Sequence, residues 1–205
     1  MKKIFFGLIF FSQFFLNNFF DKYFLQSANA AEIYEFDPLH TNIVWFANHF
    51  GFSNPSGKFT KASGKIIIDE ANPQNSQVEV VIDINSLQTG LSEFDAHLKN
   101  ENFFNVEKFP QARFVSKKII VNGKNAIVSG DFTLLGVTKS IILNVKLNKI
   151  GLNNYTQRKT VGFSANTEIK RSDFGMNFGI GGISDKVKIS IEVEAFLLNQ
   201  TKKTD

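Results

Sequence analysis

The chain is dominated by stretches in which apolar and polar side chains alternate. Val78, Val80, Ile82 and Ile84 share one face against Glu79, Val81 and Asp83. Ile141, Leu143, Val145 and Leu147 oppose Ile142, Asn144, Lys146 and Asn148. Near the end, Val187, Ile189, Ile191, Val193, Ala195 and Leu197 oppose Lys188, Ser190, Glu192, Glu194 and Phe196. Side chains of a strand point alternately to its two faces, so each run predicts a strand with one face in an apolar interior and one largely in water. Weaker runs occupy Ile43–His49, Gly57–Asp69, Ala112–Val121, Ala126–Leu135 and Val161–Arg171, and Ile33–Asp37 adds a short strand at the start. The pattern predicts eight or nine strands.

Turn residues separate these runs at Asn54-Pro55-Ser56-Gly57, Asn72-Pro73, Asn122-Gly123, Gly151 to Asn154 and Gly179 to Gly182. Asn122-Gly123 after an apolar run is a hairpin signal, because both residue types tolerate positive φ as the central pair. One stretch is helical in spacing. Leu91, Phe94 and Leu98 fall at i, i+3 and i+7, with Ser92 placed to cap the N-terminus. No repeat, low-complexity tract or linker divides the chain. Many antiparallel strands with short turns must close into a barrel or stack as a sandwich. Their length favours the barrel, and eight strands can close around a lumen wide enough for one ligand.

The first thirty residues break this pattern. Lys2 and Lys3 precede an almost wholly apolar run from Ile4 to Leu16, and the segment ends in Ala28-Asn29-Ala30. Charge, apolar core and an A-x-A site predict a secretory signal peptide over residues 1–30, cut between Ala30 and Ala31. The apolar core is too short to span a bilayer, which needs about 20 residues. The expected mature chain, residues 31–205, is one domain with 20 basic and 18 acidic residues. Its lysines are scattered, so it carries no nucleic-acid-binding face. Cys is absent. That excludes thiolate catalysis and thiolate metal sites, and leaves a fold held by core and hydrogen-bond ladders alone.

Candidate chemistry is sparse. His40 and His49 bracket one strand, and at nine residues apart they stand about 30 Å from each other if it is extended. They cannot then share a metal, and His97 completes no ligand spacing, so no metal or cofactor is expected. No Ser stands in a nucleophile elbow. Gly179-Ile180-Gly181-Gly182 lacks the Lys-Ser/Thr of a phosphate loop and reads as a rim loop. Asp95 and Asp173 are carboxylates that nothing local singles out. Arg171-Ser172-Asp173-Phe174-Gly175 admits two readings, a salt-bridged turn closed by Gly175 or an Arg contacting an anion at a barrel mouth. Fifteen Phe remain beyond residue 30. Phe50, Phe52, Phe103, Phe104 and Phe109 lie in or beside loops, where aromatic side chains around a mouth suit a ligand with a hydrocarbon tail.

Taken together, the motifs form a recognisable series. D-P-L-H-T at 37–41 is followed by G-K-F-x-x-x-S-G-K-I-x-x-D, an N-P turn and I-x-S-L-x-T-G. D-x-H-L-K, F-F-N-V-x-x-F-P, G-D-F-T-L-L-G-V-T-K-S and R-S-D-F-G complete it. From about Glu32 to Phe196 this resembles the YceI-like family of bacterial periplasmic proteins. Thr41 stands where Ser is usual and Lys99 where Arg is common.

The resemblance implies an all-β, extended eight-stranded antiparallel, lipocalin-like β-barrel with a short helical segment. It implies a periplasmic location and an internal pore for a polyisoprenoid or similar long-chain lipid. His40, His49, Asp95, His97, Arg171 and Asp173 match the family's polar signature positions. Trp45, which shares a strand face with Ile43 and Ala47, is the expected wall residue, and Phe103, Phe104 and Phe174 are the further expected apolar contacts. No catalytic residue is expected. About twenty buried carbons give about 16 kcal/mol gross, of which ordering and association offset much. The alternatives are an enzyme acting on an isoprenoid- or quinone-like substrate, with His97 and Asp95 or His40 as base, and a filled barrel serving as an interaction module. A homodimer and transient membrane contact are compatible with the lipid-binding reading and with both alternatives.

Overall fold

The computed structural model describes residues 31–198. The expected signal peptide lies outside them. Eleven strands make one antiparallel sheet that closes on itself. They are β1 (Glu32–Phe36), β2 (Asn42–His49), β3 (Ser56–Phe59), β4 (Ala62–Ile68), β5 (Gln77–Asp83), β6 (Leu87–Gln88), β7 (Gln111–Asn122), β8 (Asn125–Leu134), β9 (Val137–Asn153), β10 (Arg158–Lys170) and β11 (Ile183–Leu197). Among the described residues a single α-helix, α1 (Ser92–Lys99), lies between β6 and β7.

The eight strands β1, β4, β5, β7, β8, β9, β10 and β11 form the closed ring, sealed by pairing of β1 with β11. The other three continue its first staves. β2 extends β1 along β11, β3 pairs with β2, and β6 pairs with β3. At that end the ladder stops at β6. There α1 and the loop after it pack Phe94, Leu98, Phe103 and Phe104 into the interior.

The alternation decides which side chains face inward. On β9, Ile142, Asn144, Lys146 and Asn148 are exposed, while Ile141, Leu143, Val145 and Leu147 are half-buried. An inward residue that is only half-buried borders open space. By contrast, Tyr34, Phe36, Ile66, Val161 and Ala195 are buried together in a compact cluster at the β1 end.

Four local expectations are corrected. The run Gly57–Asp69 breaks into β3 and β4, because Ser86 reaches across the chain. Its carbonyl accepts from the Thr60 amide and hydroxyl, and its hydroxyl accepts from the Lys61 amide. The central pair of the β7–β8 turn is Gly123-Lys124, with Asn122 paired to Asn125. Positive φ falls on Gly123, at 59°, as a Gly-first hairpin turn requires. The expected turn at Gly151 to Asn154 instead lies mostly within β9, where Gly151 pairs with Thr160 and Asn153 with Arg158. Ser92 is not the cap of α1; Leu91 holds that position without a side-chain bond. The Asp95 carboxylate instead accepts from the Thr89 amide and hydroxyl, both at 2.6 Å, tying the first turn to the preceding segment.

Candidate ligand cavity

Inside the barrel is a cavity of about 350 Å³, within the size range of small-molecule sites. It runs from Phe36, Val80 and Val193, next to the buried β1-end cluster, to His49, His97 and Ile183 at the α1 end. Nearly all its wall is hydrocarbon or aromatic ring. Ile189 and Ile191 on β11, Ile141 and Leu143 on β9, and Phe114 and Phe132 on β7 and β8 contribute to it. Trp45 supplies a flat panel on β2. Its ring lies over Gly57, its partner on β3, where an added Cβ would stand 2.6 Å from the indole. The bare backbone of Gly57 therefore lets the ring lie flat along the wall. The Trp45 indole N–H is buried without a hydrogen-bond partner among the described residues.

Polar groups reach the cavity only at a few positions, chiefly Arg171, Thr167, His49 and His97. Arg171 is 4% exposed. Its Nε donates to the carbonyl of Ser184, Nη1 to those of Met176 and Phe178, and Nη2 to that of Ile183, at 2.8 to 3.2 Å. Burial lowers its pKa, and the nearby Asp185 carboxylate opposes that effect. The guanidinium thus braces the loop 176–184 from inside. Asp185 accepts from the Ser172 amide and hydroxyl, both at 2.9 Å. Burial pushes its carboxyl up, but those bonds and Arg171 outweigh it and leave the pKa lowered.

The ten residues singled out from the sequence do not all meet at one place. Trp45, His49, His97, Phe103, Phe104 and Arg171 line the cavity. Phe174 is buried beside it, its ring edge-on to Phe132 at 5.5 Å. Asp95 is engaged with Thr89, and Asp173 is exposed on the turn after β10. His40 sits elsewhere, in a polar recess with Asn148, Thr160 and Glu192. Both readings of the Arg171 segment are altered. Gly175 does close the turn, with φ 85°, and Arg171 does reach the barrel interior, but carbonyl groups occupy its donors and Asp185 rather than Asp173 is its acidic neighbour.

Among the described residues, one group of three ionisable side chains has metal-like proximity: Asp37, His40 and Glu194, whose ligand atoms lie within 4.8 Å of one another. Asp37 is already engaged. One oxygen accepts from the Leu39 amide at 2.9 Å and the other meets His40 Nδ1 at 2.5 Å, which fixes the kink between β1 and β2. Pairing with Asp37 raises the His40 pKa.

Phe94, Met176 and Ile183, also in the wall, were not singled out from the sequence. Phe94 carried a signal, its helical spacing with Leu98. Met176 and Ile183 carried none, because the long-range bonds of Arg171 place their loop.

Barrel and cavity together define a small antiparallel barrel built around an apolar ligand space. A family model described as the YceI-like domain matches residues 34–195, and the chain belongs to that family. It is 39% identical over 170 residues to a UPF0312 protein of Yersinia enterocolitica, covering 82% of this chain and 88% of the relative. The crystal structure of a Campylobacter jejuni YceI protein superposes with a TM-score of 0.66 at 32% identity, over 73% of this chain and 88% of that one. A domain of Saccharophagus degradans described as polyisoprenoid binding shares the fold, with a TM-score of 0.60 at 18% identity over 80% of this chain and 98% of that one. No helix among the described residues is long and apolar enough to cross a membrane.

Proposed function

We propose that this protein is exported to the periplasm and loses residues 1–30, and that the mature chain, residues 31–205, carries a polyisoprenoid or similar long-chain lipid inside its barrel. The observation that carries this reading is the cavity itself. Its wall is almost wholly apolar, it is backed by a sealed end, and the inward residues of β9 and β11 stand half-buried around open space. Such a space suits a ligand whose affinity comes from hydrocarbon burial, at about 0.8 kcal/mol per methylene. The polar groups near the α1 end whose ring nitrogens are not spent on the loop, His49 and His97, would then orient the ligand's polar end, while Arg171 holds the loop beside them. The fold shared with a polyisoprenoid-binding domain supports the same ligand class.

The protein acts in this reading as a carrier or reservoir, not as an enzyme. Asp95, the acid partner considered for His97, spends its carboxylate on Thr89. His97 packs edge-on against the rings of Phe103, at 5.0 Å, and Phe178, at 6.4 Å.

The test is native mass spectrometry of the protein purified from its own periplasm, followed by organic extraction. One long-chain lipid per barrel, released only on unfolding, is expected. An empty protein that also fails to take up added polyprenyl lipids would rule the carrier out.

A further inference from the structure

Two loops at the α1 end expose large apolar side chains that the cavity does not use. Phe52 is 91% exposed and Phe50 61%; across from them Phe178 is 48% and Ile180 46% exposed. The loops form one surface. The Phe50 amide donates to the Gly182 carbonyl at 2.6 Å, and the Phe50 ring lies against the Gly182 backbone. The surface is also continuous with the cavity wall. Phe50 packs on His49 at 4.8 Å and Phe178 on Phe103 at 5.4 Å, and both partners line the cavity.

Neither loop is loosely held. The Asn48 side chain accepts from the Gly51 amide and donates to the Ser53 carbonyl and to Asn54, and Arg171 gathers the carbonyls of Met176, Phe178, Ile183 and Ser184. Residues 50–57 and 174–184 contain no charged side chain at all. An aromatic, uncharged and braced rim around an apolar opening is suited to the boundary between head groups and acyl chains, where aromatic residues concentrate. A basic surface, which would draw the protein to anionic lipid by charge, is missing from both loops.

We propose that this rim, the loops 50–57 and 174–184, docks on the surface of a lipid bilayer through apolar insertion rather than through charge, bringing the cavity mouth to the membrane. The proposal rests on the lipid-carrier reading for its purpose. The two can be tested apart, because Phe52 and Ile180 of the rim do not line the cavity.

The experiment is co-sedimentation of the purified protein with phosphatidylcholine vesicles, without and with phosphatidylglycerol, at low and high salt. Binding to phosphatidylcholine alone is expected, unchanged by the anionic lipid or by salt. The Phe52→Ser/Ile180→Ser double variant should bind about tenfold more weakly or worse, while keeping its thermal transition and the lipid co-purified in its cavity. The proposal is overturned if the protein ignores neutral vesicles, if its binding needs anionic lipid or is lost in salt, or if the double variant binds as well as the parent. Self-association in sedimentation velocity that the double variant abolishes, with no vesicle binding, would assign the rim to a second copy and also overturn it. Vesicle binding by a barrel that never holds lipid would reject the carrier reading alone, and lipid uptake without vesicle binding would reject the rim alone.

Discussion

At the β1 end of the barrel strand pairing continues round all eight staves, through register shifts at Gly162/Phe163 and Ser116/Lys118, and Tyr34, Val161 and Ala195 have no exposed surface. A polar network seals it. Lys159 bonds Glu32 at 2.6 Å and Glu70 at 3.0 Å, and the Tyr34 hydroxyl donates to Glu32 at 2.6 Å. At the α1 end the ladder stops at β6, side chains from a helix and loops replace backbone bonds, and the tips are apolar and exposed. A closed ladder fixes one end firmly, whereas side-chain packing leaves the other free to be an opening. The cavity lies between them, and the α1 end is where it can open without breaking a ladder.

The largest effect that could break this contrast is on Arg171. Arg171→Met strips partners from four carbonyls and leaves Asp185 without its buried cation. Stability should fall by about 3 kcal/mol in urea denaturation. Arg171→Lys should restore less than half, since one ammonium cannot reproduce the fork. A neutral result would mean that the loop 176–184 is held by something else.

Filling the interior should have opposite consequences at the two places. Val161→Phe overpacks the sealed end and should cost about 2 kcal/mol, with lipid binding intact. Ile191→Phe enters the cavity, so stability should stay within about 1 kcal/mol while lipid affinity drops about tenfold or more. Denaturation and lipid titration of both variants distinguish them. Equal behaviour at the two sites would abolish the contrast.

The sealed end should also be sensitive to acid. Burial pushes the Glu32 carboxyl up, but its hydrogen bonds with Lys159 and Tyr34 outweigh this and hold its pKa below the ordinary 4.5. A pKa depressed in the folded state means stabilisation that is complete above the ordinary value and lost as pH falls through the lower one. Melting temperature should thus fall with acidification in that range, and less steeply in Glu32→Gln. The smallest effect concerns His40, whose pKa is raised by Asp37. Its contribution is present below the ordinary His pKa and lost as pH rises through the raised one. An NMR titration should find His40 ionising above 6.5 and moving back in Asp37→Asn.

How much of this could be read from the sequence depends on the range of the forces involved. β9 and β11 were legible, because strict alternation is local and one face of each is buried. The break between β3 and β4 was not, since it is made by Ser86 some twenty-five residues away. The family motifs placed Arg171, His49 and His97 among the polar positions, yet gave no hint that four carbonyls consume the guanidinium. Trp45 was legible as a wall residue from its face with Ile43 and Ala47. Its flat seat on Gly57 depends on strand register, which the pattern leaves open. The polar recess holding His40 arises from β9 and β11 meeting the kink after β1, a long-range pairing that short motifs do not encode.

Trp45 is the single tryptophan of the chain and sits on the cavity wall, so its fluorescence reports directly on what enters the barrel. Titration of delipidated protein with a polyprenyl lipid should change Trp45 emission saturably, reaching an endpoint of one lipid per barrel, and Ile191→Phe should shift the midpoint about tenfold or more to higher lipid. Emission that stays constant with polyprenyl, fatty-amide and other long-chain lipids, at concentrations where the lipid is dispersed, would contradict a lipid-carrying cavity.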